Sequence, residues 1–216
     1  MDPCRIIRTL IVLLILFLAG AAIPITDRVY SGDRLDPYRN LIGSLVEKKV
    51  LHYVRACIIH ELEPESGVPD GVKALPGLPQ TGLYMTLMKG LDVRACIGRF
   101  TPYSYSMEKA IEDLAREITF GDIRYRPLSP GEMEDLRIVL SFVGPMKEIR
   151  DPYTIDFAEE GLYIGQDGKG GVLLPGETRT LEYGIKRLMR QHGMDPKKAF
   201  RYASFKVIVF DERRDK

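Results

Sequence analysis

Cys57 and Cys96 sit in the same pentapeptide, Val-Arg-Ala-Cys-Ile, at residues 54–58 and 93–97, and the chain holds one other cysteine, Cys4. A thiol becomes a nucleophile when a nearby cation lowers its pKa and a base stands in reach. In both copies an arginine precedes the cysteine by two residues. The element that carries each copy decides what this spacing means. On a strand, residues i and i+2 share a face. Arg94, Cys96 and Gly98 then lie together, opposite the apolar Val93, Ala95 and Ile97. Arg94 would stabilise a thiolate or anchor an anion, and Gly98, with no Cβ, would let a ligand approach. Cys96 has two readings, a catalytic thiol in a cleft or a small buried hydrophobe. On a helix, Cys57 joins an apolar stripe and Arg55 points elsewhere. Nothing alike flanks the two pentapeptides, so the repetition is an accident. A single Cys57–Cys96 bridge is also compatible with the count of thiols.

Other polar residues add candidates. Asp122, Arg124 and Tyr125 fall in a loop after a helix. Asp122 and Arg124 either pair to hold that loop or line the cleft with Cys96. His52 and His60 lack zinc-protease spacing, and no cysteine pair has the spacing of a zinc site, so no metal site is expected. His192 falls in a last helical turn, where a cation suits the helix dipole. The run Gly-Gln-Asp-Gly-Lys-Gly-Gly at 165–171 lacks Walker spacing and reads as a hairpin turn. Glu159 and Glu160 read as a solvated strand entrance rather than an acid/base dyad. No cofactor is implied. The formal net charge of +1, with both signs interleaved, argues against nucleic acid.

The elements that must position these residues follow from periodicity. Asp36-Pro37 predicts a helix start, with Asp36 as N-cap, and one continuous helix to Leu62 whose apolar face is Ile42, Val46, Val50, Tyr53 and Cys57. Residues 63–82 are rich in Pro and Gly and form a long loop. Residues 83–87 and 93–100 make a hairpin. Ser104 or Ser106 caps a helix with the stripe Met107, Ala110, Ile111, Leu114, Ala115 and Ile118. Ser129-Pro130-Gly131-Glu132 predicts a capping box and a short helix. A strand over 136–143, a hairpin over 161–175, a helix over 180–193, a short helix opened by Asp195-Pro196 and a period-two strand over 205–210 complete the chain. Hairpins mixed with helices indicate an α+β fold.

The N-terminus differs from the rest. Arg5 and Arg8 precede an uncharged, apolar run over residues 9–26, with small residues at Ala19, Gly20, Ala21 and Ala22. Residues 1–26 are read as a signal peptide or an N-terminal membrane anchor, and 27–36 as a linker. The positive side stays in the cytoplasm, which places the folded part outside it.

The run Gly-Leu-Tyr-Met-Thr-Leu-Met-Lys-Gly-Leu-Asp-Val-Arg-Ala-Cys-Ile-Gly at 82–98 resembles the signature of the AMMECR family, whose hallmark is Leu-Arg-Gly-Cys-Ile-Gly. The likeness continues through Asp122, Arg124, Tyr125 and Pro127, and through a hairpin that ends at Leu174-Pro175. It makes residues 37–213 an AMMECR-like domain. It implies two subdomains sharing a mixed, largely antiparallel sheet with flanking helices, and a cleft near the cysteine motif that binds a small ligand or a partner protein. It also implies a possible accessory role beside a Memo-like protein or a radical S-adenosylmethionine protein. The chain departs from the pattern at three places. Ala95 replaces the central Gly, Glu160 stands where many members have His, and Gly176 stands where animal members have Glu.

Overall fold

The computed structural model describes residues 34–67 and 78–212. The segment over 1–26, most of the linker and residues 68–77 of the long loop lie outside the described residues. Among the described residues, no helix is long and apolar enough to cross a membrane.

Four helices and seven strands occur among the described residues. The helices are α1 (Asp36–Arg39), α2 (Leu45–Leu62), α3 (Met107–Phe120) and α4 (Leu181–Gln191). The strands are β1 (Gly82–Lys89), β2 (Asp92–Arg99), β3 (Leu136–Val143), β4 (Lys147–Ile149), β5 (Glu160–Gln166), β6 (Lys169–Leu173) and β7 (Arg201–Asp211). The sheet runs β2-β1-β3-β7-β5-β6, with β4 also on β7. The expected mixed sheet is antiparallel at every pairing described. Its short hairpins dictate that direction at both ends, since a parallel pair needs a long crossover.

Strand β7 joins the halves. Its residues 207–211 pair with β3 and its residues 202–204 with β4, while 201–206 pair with β5 on the other edge. It is longer than the expected 205–210 and lacks clean alternation, because both of its faces are covered. Even-numbered Tyr202, Ile208 and Phe210 face clusters packed by the helices, and odd-numbered Phe205, Val207 and Val209 face a third cluster with Tyr84, Tyr163, Val172 and Leu174. That third cluster gathers residues from β1, β5, β6 and β7, so the sheet is curled around it, with the helices outside.

Local chemistry explains the elements. The expected single helix from Asp36 to Leu62 is broken. Gly43 takes φ +74°, and Ser44 becomes the N-cap of α2, accepting from the backbone N–H of Val46 and Glu47. Glu47 reaches back past the cap to accept from the N–H of Gly43, and its other oxygen accepts from the N–H of Asp211 of β7 at 3.2 Å. Asp36 therefore lies in the first turn of α1 rather than at its N-cap, and Ile42 is exposed rather than on the stripe. Val50, Tyr53 and Cys57 are buried as expected.

Ser106 caps α3, whose residues Ala110, Ile111, Leu114, Ala115 and Ile118 are buried. Both hairpins form. Gly90 turns the first, and Asp167 and Gly168, with φ of 49° and 79°, turn the second, the pair of left-handed residues that a two-residue hairpin turn requires. The expected helix after Ser129 is a single 3-10 turn (Pro130–Glu132), and Asp195-Pro196 opens a turn rather than a helix.

Candidate functional site

The site grows out of the β1–β2 hairpin. Alternation holds at its centre. Ala95 and Ile97 face the helix-packed core, and Cys96 faces the interior of the curl beside Tyr84, Phe100 and Phe205. Thr86 is the cross-strand partner of Cys96, and its Oγ1 lies 3.2 Å from Sγ.

Alternation fails one step away. Ala95 pairs with Leu87 but Val93 pairs with Met88, so Arg94 is an extra residue on β2, a β-bulge. A bulge re-aims a side chain. Arg94 turns to Glu132, with Nε to Oε2 at 2.7 Å and Nη2 to Oε1 at 3.3 Å, and Nη2 also donates to the carbonyls of Arg126 and Pro127. The Arg94 guanidinium, with the Ser129 hydroxyl, holds the Glu132 carboxyl down at about 2. Glu132 serves this pair instead of closing a capping box. Gly98 leaves no open space either. A Cβ there would sit 2.4 Å from Tyr84 Cγ and 2.4 Å from the Leu83 carbonyl, so the bare backbone is what lets the Tyr84 ring lie across β2.

Asp122 and Arg124 do form the internal pair, and the pair also sits on Cys96. Asp122 is buried. Its Oδ2 accepts from the Cys96 backbone N–H at 2.9 Å, and its Oδ1 accepts from the Arg124 N–H and Nε. Arg124 Nη2 donates to the Cys96 carbonyl at 2.6 Å. The two side chains thus grip both polar groups of one peptide residue. Burial opposes the charge on Asp122, but the Arg124 guanidinium and two backbone N–H donors outweigh it and hold its carboxyl low.

The residue that sequence reasoning missed is Glu177. Gly176, at φ +84°, turns the chain after Leu174-Pro175 and brings Glu177 inward, where it is 6% exposed. Its Oε2 accepts from the Leu174 N–H at 3.1 Å, its Oε1 lies 3.2 Å from Thr86 Oγ1, and its backbone carbonyl accepts from Arg187 Nη1. The family glutamate looked replaced by Gly176; a carboxyl is present one residue later. Burial pushes the Glu177 carboxyl above the usual range, against the Leu174 N–H, Cys96, Arg187 and Thr86.

Cys96 responds in kind. Burial, followed by the Glu177 carboxylate, pushes its thiol well up, and the opposing influence of Thr86 and Arg124 is weaker. It is a thiol at neutral pH. The cation that bears on it is Arg124, through the other side of the peptide, and Arg94 is held by Glu132. Cys57 lies in the helix-packed core on the opposite face of the sheet, with its thiol pushed up to about 11, mainly by burial. Both thiols are free and no bridge joins them. Arg55 of the first pentapeptide is bidentate to Glu212 and also bonds the carbonyls of Met133 and Leu136.

His192 ends α4, but burial and then Arg124 lower its pKa, so it is neutral and does not act as a cation at the helix end. Its Nε2 lies against Gly171, where a Cβ would approach to 2.9 Å. Glu160 accepts from the Asp156 N–H at 3.2 Å, and Glu159 is exposed. Among the described residues, no group of three or more His, Cys, Asp or Glu side chains is arranged to hold a metal ion.

A curled antiparallel sheet with helices outside, and a Thr-Cys-Glu cluster enclosed at its seam, defines an α+β domain of one recognisable architecture. The AMMECR1 family profile matches residues 45–214, and the chain belongs to that family. A Thermotoga maritima protein is 28% identical over 115 residues, 53% of this chain and 64% of that protein. Protein MK0488 of Methanopyrus kandleri is 28% identical over 135 residues, 58% of this chain and 65% of that protein. The chain therefore spans just under two thirds of the length of these relatives. The crystal structure of the uncharacterised protein PH0010 from Pyrococcus horikoshii matches with a TM-score of 0.59 and 22% identity, over 77% of this chain and 91% of that one, which is a likeness of fold.

The raised carboxyl of Glu177 sets a pH dependence. Its folded pKa lies above the unfolded value near 4.5. Its contribution is therefore complete below that value and is lost as pH rises toward the folded pKa. Glutamine cannot ionise. The stability of the wild type relative to Glu177→Gln should fall from pH 4.5 upward, by at most about 1.4 kcal/mol per pH unit. Urea unfolding of both proteins from pH 4 to 8 measures it, and a difference that stays flat or rises contradicts the assignment.

Proposed function

We propose that this AMMECR1 protein is a binding domain held outside the cytoplasm, in which the surroundings of Cys96 receive a small ligand or a partner protein. Cys96 remains a thiol. The observation that carries the reading is the pairing of half-buried Cys96 with buried Glu177: both groups are pushed toward their neutral forms. A thiolate there would face a carboxylate in a low-dielectric interior. The arginines that would activate it are engaged with Glu132 and Asp122. Thiol, hydroxyl and carboxyl groups beside Tyr84 and Phe100 suit hydrogen bonding to a largely apolar ligand. The clusters on either side of β7 are read as two subdomains whose seam carries this site.

A second reading has one observation in its favour. Thr86 Oγ1 lies 3.2 Å from both Cys96 Sγ and Glu177 Oε1, so a proton has a short route from thiol to carboxyl. In that reading Cys96 is the nucleophile of an enzyme, and the family resemblance supplies a Memo-like or radical S-adenosylmethionine protein as its partner. Alkylation separates the two. Cys96 in the folded protein should react with iodoacetamide at pH 7 about tenfold or more slowly than a free thiol, in keeping with its small thiolate fraction. Reaction faster than a free thiol establishes the nucleophile instead.

Placement outside the cytoplasm rests on the uncharged run over residues 9–26 behind Arg5 and Arg8. Cell fractionation with N-terminal sequencing tests it. The protein should be found either in the membrane, starting at its original N-terminus, or outside the cytoplasm, starting near Ala21. A cytosolic protein that keeps its first residues contradicts the placement.

A further inference from the structure

The corner between α1 and α2 turns aliphatic side chains outward. Leu45, the first residue of α2, is 66% exposed, and Ile42, three residues earlier, is 38% exposed. Residues i, i+3, i+4 and i+7 share a helix face. Leu45, Lys48, Lys49 and His52 stand in that relation, and all four are exposed. Over residues 34–49 the exposed charged side chains are Arg34, Arg39, Lys48 and Lys49 against Asp36 alone. Glu47 is buried and bonded to the backbone of Gly43 and Asp211, and Arg39 stands 3.9 Å from the exposed Glu159. The outward surface of this corner is aliphatic and cationic.

The other large exposed apolar side chains among the described residues have carboxylates beside them. Tyr183 follows the exposed Glu182, and Tyr153 stands two residues after the exposed Asp151. Phe120 lies one turn after the exposed Glu117, and Leu91 precedes the exposed Asp92. Tyr105 donates to Asp113. Beside Ile123, Arg124 and Arg126 are met by Asp122 and Glu132.

Aliphatic groups with lysines one turn away suit a bilayer interface. The aliphatic groups leave water for the boundary between headgroups and acyl chains, while the lysine stems lie along it and the ammonium groups reach phosphates. The corner's place in the chain says which surface covers it. The uncharged run ends at Thr26, and Arg34 follows eight residues later, a reach of at most about 29 Å when fully extended. The corner is the first part of the described fold beyond that run.

We propose that the α1–α2 corner lies on the bilayer that holds residues 9–26, with Ile42 and Leu45 in the headgroup–acyl boundary and Lys48 and Lys49 on anionic headgroups. This rests on the reading of residues 9–26 as a retained anchor.

The chain has no tryptophan, so Leu45→Trp and Tyr183→Trp each carry a single reporter. Both positions are exposed, and circular dichroism should show both variants folded. The full-length variants are reconstituted in bilayers of phosphatidylcholine and phosphatidylglycerol, and insertion is read by resistance to carbonate extraction. Lipids brominated on the acyl chains should quench the tryptophan at 45 strongly and the one at 183 little. Adding Lys49→Glu to Leu45→Trp should lower the docked-to-free ratio by about fivefold or more, the scale of one basic residue at an anionic surface. Omitting phosphatidylglycerol should act in the same direction. Protein that resists carbonate, with position 45 quenched no more than position 183, overturns the docking alone; so does a tryptophan at 45 that is blue-shifted but unquenched, since it lies under protein instead. Quenching indifferent to both Lys49→Glu and the loss of phosphatidylglycerol overturns the assignment of the lysines to anionic headgroups. Protein released by carbonate overturns the anchor, and the docking with it.

Discussion

The contact between Glu177 and Thr86 brings the two ends of the sheet together. Thr86 belongs to the β1–β2 end of the strand order, and Glu177 follows β6 at the other. An open sheet of this order has two free edges, and curling them toward each other encloses a strip of interior. The carboxyl at that seam is expensive to bury, and the geometry offsets the cost with the Leu174 N–H, the Thr86 hydroxyl and the proximity of Arg187. The half-buried Cys96 lies against the same seam. The high pKa of each group is a consequence of the curl.

Charge in this region holds backbone in place. The loop after α3 is fastened to β2 twice, first where Asp122 and Arg124 grip the peptide groups of Cys96, then where Arg94 takes Glu132 and the carbonyls of Arg126 and Pro127. The Arg-x-Cys spacing therefore works as a fastening for a loop. It fixes the strand on which Cys96 stands, and leaves the thiol to an environment of aromatic rings and the raised carboxyl of Glu177.

Much of the fold was legible because it is set by local chemistry. The stripe of α3, the Ser106 cap, the two hairpins and the glycines that turn them follow from near neighbours in the chain. So did the burial of Cys57 and the facing of Ala95 and Ile97. What was hidden depends on distant partners. The break at Gly43 is stabilised partly by Glu47 reaching Asp211, and β7 is covered on both faces only because helices and the curl meet on it. The bulge at Arg94 exists in the pairing of two strands and has no mark in either strand alone. Glu177 was one residue out of register with the family pattern, and only the turn at Gly176 shows that it reaches Cys96. The Gly-Glu that follows Leu174-Pro175 was the signal that could have found it.

The central claim is that the seam raises the pKa of a carboxyl and of a thiol side by side. Carbon-13 NMR of a Glu- and Cys-labelled protein reads both groups in one pH titration. The Glu177 carboxyl should titrate clearly above the usual glutamate range near 4.5, and the Cys96 Cβ should show no ionisation step up to pH 8. A Glu177 midpoint at or below 4.5, or a Cys96 thiolate formed near neutral pH, would contradict this account.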